Sequence, residues 1–214
     1  MKQFGKSLYI ILSILSIGWA FHMLASYFIV DPGAVKHLQH KELDENFSKT
    51  IWLVFLRLHI INACISLITG PLGLSAKILR KKPALHRLNG KVYVLSILFS
   101  SVVTLYLAKD ATGGTFSTIG FLLLNGLWIF TTLYAWWTIR LKQIVKHRIW
   151  MMRSYALTLA NTSLHFIQLA LIKLFDVDYV SSYTIAVWAS WIINIVIVEL
   201  IMRPKRMPSV LHKN

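Results

Sequence analysis

Acidic side chains are scarce in this sequence, eight against twenty-three lysines and arginines in 214 residues. Cysteine is scarcer still. The single Cys64 excludes an internal disulfide, and no C-x-x-C-H stretch is present for covalent haem attachment. There is no P-loop, no H-E-x-x-H and no paired C-x-x-C, which removes three common signatures of nucleotide and zinc chemistry. Long polar stretches are missing as well. No extramembrane domain of useful size fits in what remains, so any flavin or nicotinamide partner is expected to be another protein.

What the chain has instead is apolar length. It is 56% hydrophobic with mean hydropathy +0.60, a composition foreign to ordinary water-soluble globules. Six stretches stand out, at residues 7–30, 51–74, 89–108, 116–139, 150–172 and 180–202. At 1.5 Å per helical residue each crosses a hydrocarbon core of about 30 Å. The fold class expected is all-α, one integral membrane domain over 1–214 built as a six-helix transmembrane bundle. The first stretch follows Lys2 and Lys6 like a signal peptide. It is too long for a signal core and has no clear small-x-small cleavage site, so it reads as a retained anchor.

The net charge of +15 would point to nucleic acid in a soluble protein. Its distribution points elsewhere, and no nucleic-acid partner is expected. Lys2 and Lys6 precede the first span; Lys77, Arg80, Lys81, Lys82, Arg87 and Lys91 fill the second connection. Arg140, Lys142, Lys146, Arg148 and Arg153 fill the fourth, and Arg203, Lys205, Arg206 and Lys213 the tail. None of these regions holds an acid. Asp31, Glu42, Asp44, Glu45, Asp110, Asp176 and Asp178 lie in the odd-numbered loops. The positive-inside rule then places both termini and the even loops in the cytoplasm. The basic face is expected to attract anionic lipid headgroups, at about 1 kcal/mol per charge.

Ionisable groups inside the spans are costly and therefore informative. His86-Arg87 opens the third span and His147-Arg148 the fifth, at the same depth, each followed by a tyrosine about two turns on (Tyr93, Tyr155). His59 lies about 12 Å below the outer start of its span, with His22 and His165 at similar depth. A continuous fifth helix would put His147 and His165 on one face, about 27 Å apart along the axis. That pattern suits a transmembrane electron carrier. His86 with His147 would ligate the iron of an inner haem b, and His59 with His165 or His22 that of an outer one. Gly90, Ser154, Ala156 and Ala160 are small enough to leave room for a macrocycle.

Each residue also has a plainer role open to it. The histidines can be interfacial or satisfied core groups, and His37, His40 and His212 are expected in solvent. Arg57 snorkels to the outer headgroups or partners a haem propionate or an anionic substrate. Glu199, the only acid in a span, is expected to pair with Arg153 or Arg148. Asn194 is expected to serve as interhelical hydrogen-bond glue. Trp52, Trp136, Trp137 and Trp150 fit an interfacial belt. Asp31-Pro32-Gly33 is a turn followed by a short surface helix, and Gly70-Pro71 should end or kink the second span.

His59, Gly70-Pro71-Leu72, Arg80, Pro83, His86-Arg87, Gly90 and Tyr93-Val94 form one recognisable element. His147-Arg148 with Trp150-Met151-Met152-Arg153-Ser154-Tyr155-Ala156-Leu157-Thr158 forms a second. Together they resemble the bacterial predicted-membrane-protein family called domain of unknown function 2306, over roughly residues 55–204. The resemblance implies a multi-pass protein of the bacterial inner membrane and favours His59, His86 and His147. The family usually has arginine at the position of His165, a departure that leaves an outer haem without an obvious second ligand.

Three functions compete. The first is an electron carrier holding haem b or a quinone and meeting a redox partner protein, with His59, His86, His147, His165 and Arg57 as its candidate residues. The second is a non-redox transporter, sensor or membrane assembly factor with a polar, histidine-lined cavity. The third is a metal-dependent hydrolase using His22, His59 and His165, which lacks a nearby acid to act as general base.

Overall fold

A computed structural model of the chain describes residues 6–41, 43, 45 and 47–202. Lys2, Glu42, Asp44 and the tail residues Arg203, Lys205, Arg206, His212 and Lys213 lie outside the described residues. The helices are α1 (Lys6–Ala25, extended by a π-helical turn Ser26–Val30), α2 (Val35–Leu38), α3 (Lys49–Leu74) and α4 (Ala76–Lys81). They continue with α5 (Pro83–Leu107), α6 (Gly114–Arg140), α7 (Ile144–Thr158), α8 (Ala160–Phe175) and α9 (Tyr179–Met202). No strand occurs among the described residues.

Five stretches are long and apolar enough to cross a membrane: Ser7–Val30, Lys49–Leu74, Pro83–Asp110, Gly114–Arg140 and Tyr179–Met202. α7 and α8 together make a sixth if they form one span, bent by 43°. The six stretches expected from hydropathy all coincide with these elements, and their helices begin up to six residues earlier than expected. Large apolar side chains such as Ile14, Val102 and Leu169 point outward, at 68, 69 and 54% exposure. Such a surface belongs against lipid rather than water.

α3 is the centre of one half of the bundle, packed on α5 and α1. α6 packs on α7, and α8 on α9. Glycines permit the closest approaches. A Cβ on Gly70 would lie 2.3 Å from the Tyr155 ring, and one on Gly120 would lie 2.8 Å from Val187. Small residues at such crossings let helix backbones approach where lipid offers no hydrophobic drive.

Two expectations about helix continuity need correction. Pro71 does not end the second span: α3 runs one turn past it to Leu74. The missing N–H costs a single intrahelical bond, and the buried packing of Gly70 against Tyr155 holds that turn. The fifth span is not continuous either. It breaks at Leu159 with neither proline nor glycine present. Thr158 returns its hydroxyl to the Ser154 carbonyl at 3.0 Å, a back-bond that bends helices. His147 and His165 thus sit on two separate rods, and they do not share one straight face.

Asp31 begins the expected surface helix. Its two carboxylate oxygens accept the Val35 and Lys36 amides at 3.0 and 2.9 Å and start α2. This short helix folds back over the bundle as a lid, at the end opposite the one that carries α4 and its basic neighbours.

Candidate functional site

His86 and His147 are each the fourth residue of their helix, α5 and α7. Seven residues on, two full turns, stand Tyr93 and Ser154, which therefore share their faces. The Tyr93 hydroxyl meets Ser154 Oγ and Thr158 Oγ1, both at 2.9 Å, across the space between the two helices. The two imidazoles look into the same gap about 10 Å nearer the basic end.

Their nitrogens are differently engaged. His147 Nδ1 lies 2.9 Å from the Ala135 carbonyl. A carbonyl can only accept, so Nδ1 carries the proton and Nε2 keeps a free lone pair. This is the tautomer that a backbone carbonyl selects in metal-ligating histidines. His86 Nδ1 is buried and has no partner among the described residues. Beside it, a Cβ added at Gly90 would meet nothing within 4 Å. Ser154, Ala156 and Ala160 are packed at 0, 8 and 2% exposure and leave no such space.

Above the gap, every hydroxyl is tied down. Thr132 Oγ1 and Ser154 Oγ are 2.7 Å apart, and the Trp128 indole donates to Thr158 at 3.0 Å. Tyr155 bonds Ser16 of α1. Arg153 donates twice to Glu199, at 2.6 and 3.1 Å, and its guanidinium lies 4.3 Å from the Trp150 ring centre. Asn194 accepts from Ser163 and donates to the Ala156 carbonyl, as interhelical glue should. The Arg-Ser-Tyr-Ala-Leu-Thr stretch is therefore the buttress of the gap.

The remaining candidates go elsewhere. His59 Nδ1 faces Ser100 Oγ at 2.9 Å and Thr104 Oγ1 at 3.1 Å, a satisfied position between α3 and α5. Arg57 donates to the Pro32 carbonyl at 2.9 Å and stacks on Phe28, so it pins the lid turn to α3. His165 packs against Trp19 of α1, which also packs against His22. His59 and His165 are not brought together: His59 stands between α3 and α5, and His165 belongs to a different cluster on the bent rod. No group of three His, Cys, Asp or Glu suited to a metal ion occurs among the described residues, so the hydrolase arrangement of His22, His59 and His165 is not assembled.

The lid holds what the sequence did not reveal. His37 is not solvated: it stacks on Trp52 with ring centres 5.7 Å apart and meets the edge of Tyr27. Trp52 is not interfacial, being 1% exposed. His40 stacks on Tyr179 at 3.7 Å, and Lys41 reaches over Trp52 to the Asp110 carbonyl. Burial pushes the His37 imidazole down to about 3, helped by Lys41, His165 and His40. Burial also lowers the Lys41 amine to about 8, against the pull of Asp110. The one local signal was the Asp31-Pro32-Gly33 turn, which aims the following helix back at the bundle.

Beneath the lid, Trp19, His22, Tyr27, His37 and His165 line a crevice of about 220 Å³ between α1 and α8. The molecule is thus a polytopic helical membrane protein with one histidine pair at its basic end and a histidine cluster at the other. The chain belongs to the family described as predicted membrane protein (DUF2306), whose model matches residues 56–202. No curated protein and no solved structure matches it.

Proposed function

We propose that this protein is an electron carrier of the bacterial inner membrane that holds one haem b between His86 and His147, with its basic end in the cytoplasm. The observation that supports this reading is the shared gap: two imidazoles on facing helices, one with its tautomer set by Ala135 and the other with an orphaned buried nitrogen. A bound haem would supply one-electron chemistry there. The chain's own part is to hold the rings. Ala135 orients His147, the Tyr93–Ser154–Thr158 network fixes the spacing of α5 and α7, and the Arg153–Glu199 pair ties α7 to α9. Arg87, Lys91 and Arg148 near the mouth suit haem propionates, anionic lipid and an acidic face on a redox partner protein. The positive-inside distribution of charge supports the orientation.

The test is a dithionite-reduced minus air-oxidised visible spectrum of the purified protein from haem-replete cells. A sharp α-band that disappears in both His86→Ala and His147→Ala, with each variant still inserted, is the expected result. A flat difference spectrum from well-folded protein would sink the proposal. The second reading, a non-redox transporter or sensor, draws its support from the crevice under the lid; it expects a colourless protein whose His37 and His165 variants lose uptake or signalling.

A further inference from the structure

We propose that the crevice between α1 and α8 binds the head group of a lipid-soluble quinone. Access comes first. α1 packs on α3 and α8 packs on α9, and neither rests broadly on the other. Trp19 bridges the seam, donating to Asn161 Oδ1 at 3.2 Å and touching His165 and Phe166. His22, which lines the crevice, is exposed, so the space beside Trp19 opens sideways into lipid. What enters there is a molecule already dissolved in the bilayer.

The lining selects a flat ring. Trp19 and Tyr27 supply aromatic faces, and His22, His37 and His165 add three more planar groups. About 220 Å³ falls below the roughly 300 Å³ at which drug-sized sites begin. It suits one substituted six-membered ring. The indole N–H is committed to Asn161 and the Asp31 carboxylate to α2. The polar groups lining the space are thus the Ser26 and Tyr27 hydroxyls, the imidazoles and, at the rim, the Lys36 amine, each able to donate a hydrogen bond to a carbonyl oxygen. Charge argues against a lipid phosphate. Burial keeps His37 neutral at physiological pH, and on the rim Asp31 offsets Lys36. Two carbonyl oxygens on opposite edges of a ring, with an isoprenoid tail leaving along α1, match these groups.

The proposal rests on the membrane electron-carrier reading, but concerns binding alone, and its site lies at the other end of the bundle from His86 and His147. The test uses the full-length protein in lipid nanodiscs, a photoreactive azidoquinone as label and decylubiquinone as competitor. Expected is saturable labelling within residues 19–37 or 161–166, competed by decylubiquinone. Ser26→Phe, which fills the crevice, and His165→Ala should each lower it tenfold or more; Val102→Ala on the lipid face should not. Gel filtration confirms that each variant remains folded. Labelling that does not saturate, that maps elsewhere or that stays at the wild-type level in both crevice variants overturns the proposal. So does native mass spectrometry showing a phospholipid there that decylubiquinone cannot displace. A haem band without labelling refutes the crevice alone, and labelling without a band refutes the haem alone.

Discussion

The two ends of this bundle use histidine in opposite ways. At the basic end His147 is held by the Ala135 carbonyl and His86 keeps an unpartnered buried nitrogen, while the hydroxyls of Tyr93, Thr132, Ser154 and Thr158 above them are paired. At the lid end they are held by aromatic faces, with His37 on Trp52 and His40 on Tyr179, and the lid itself is anchored through Arg57 and Lys41. The first arrangement is a rigid frame around a gap. The second is a short stacked cover over a crevice, stabilised by contacts of about 0.5–1.5 kcal/mol each. A rigid frame suits a permanently bound group, whereas a light cover suits a ligand that comes and goes.

The comparison can be broken hardest at Gly70. A leucine there would drive its Cβ into the Tyr155 ring, 2.3 Å away, and part Tyr155 from Ser16. The expected loss is about 3 kcal/mol, the upper end of ordinary overpacking, read by thermal unfolding in detergent. Arg153→Met comes next. It leaves Glu199 unpaired and should cost about 2 kcal/mol. The double variant Arg153→Met with Glu199→Leu should recover part of that, because the stranded charge is gone. Equal losses in the single and double variants would mean that the pair is not what ties α7 to α9.

The lid is expected to respond to acid through His37. His37 sits at about 3 in the docked lid against an ordinary 6.5, so the undocked lid binds a proton that the docked one refuses. Docking is then complete above about pH 6.5 and weakens steadily as pH falls toward 3. Lys41, His40 and His165 around the ring act in the same direction, and Asp31 opposes them. Hydrogen exchange of the 33–41 amides should accelerate over that range, and His37→Leu should flatten the response. The smallest effect belongs to Asp31→Ala. Hydrogen bonds from Lys36 and Val35 hold the Asp31 carboxyl below its ordinary range, so its capping is present above that range and lost below it. Faster exchange confined to residues 35–38 checks it.

Most of the frame was legible in the sequence, because long apolar runs and isolated ionisable residues have few ways to be satisfied in lipid. Glu199 had to find a cation, and Arg153 stood at its depth. His86 and His147 could be matched because both follow the start of a helix by the same number of residues. The lid was not legible. A mixed-charge stretch such as 31–48 reads as solvated unless one knows that Trp52 and Tyr179 wait beneath it, and that proximity is made only by the tertiary fold. The break at Leu159 was hidden for a similar reason. Thr158 is an ordinary residue within an apolar run until Trp128 and Tyr93 fix its hydroxyl from either side.

That break also sets a length. α7 and α8 rise about 22 and 24 Å, and an angle of 43° between them brings their far ends about 3 Å closer than a straight rod would allow. Bilayers of different cells and compartments differ in thickness by a few ångströms. A membrane protein whose other helices are straight must tilt as a whole to match its bilayer. Here the bend already shortens one strut, at a joint that Thr158 ties into the hydroxyl network above His86 and His147.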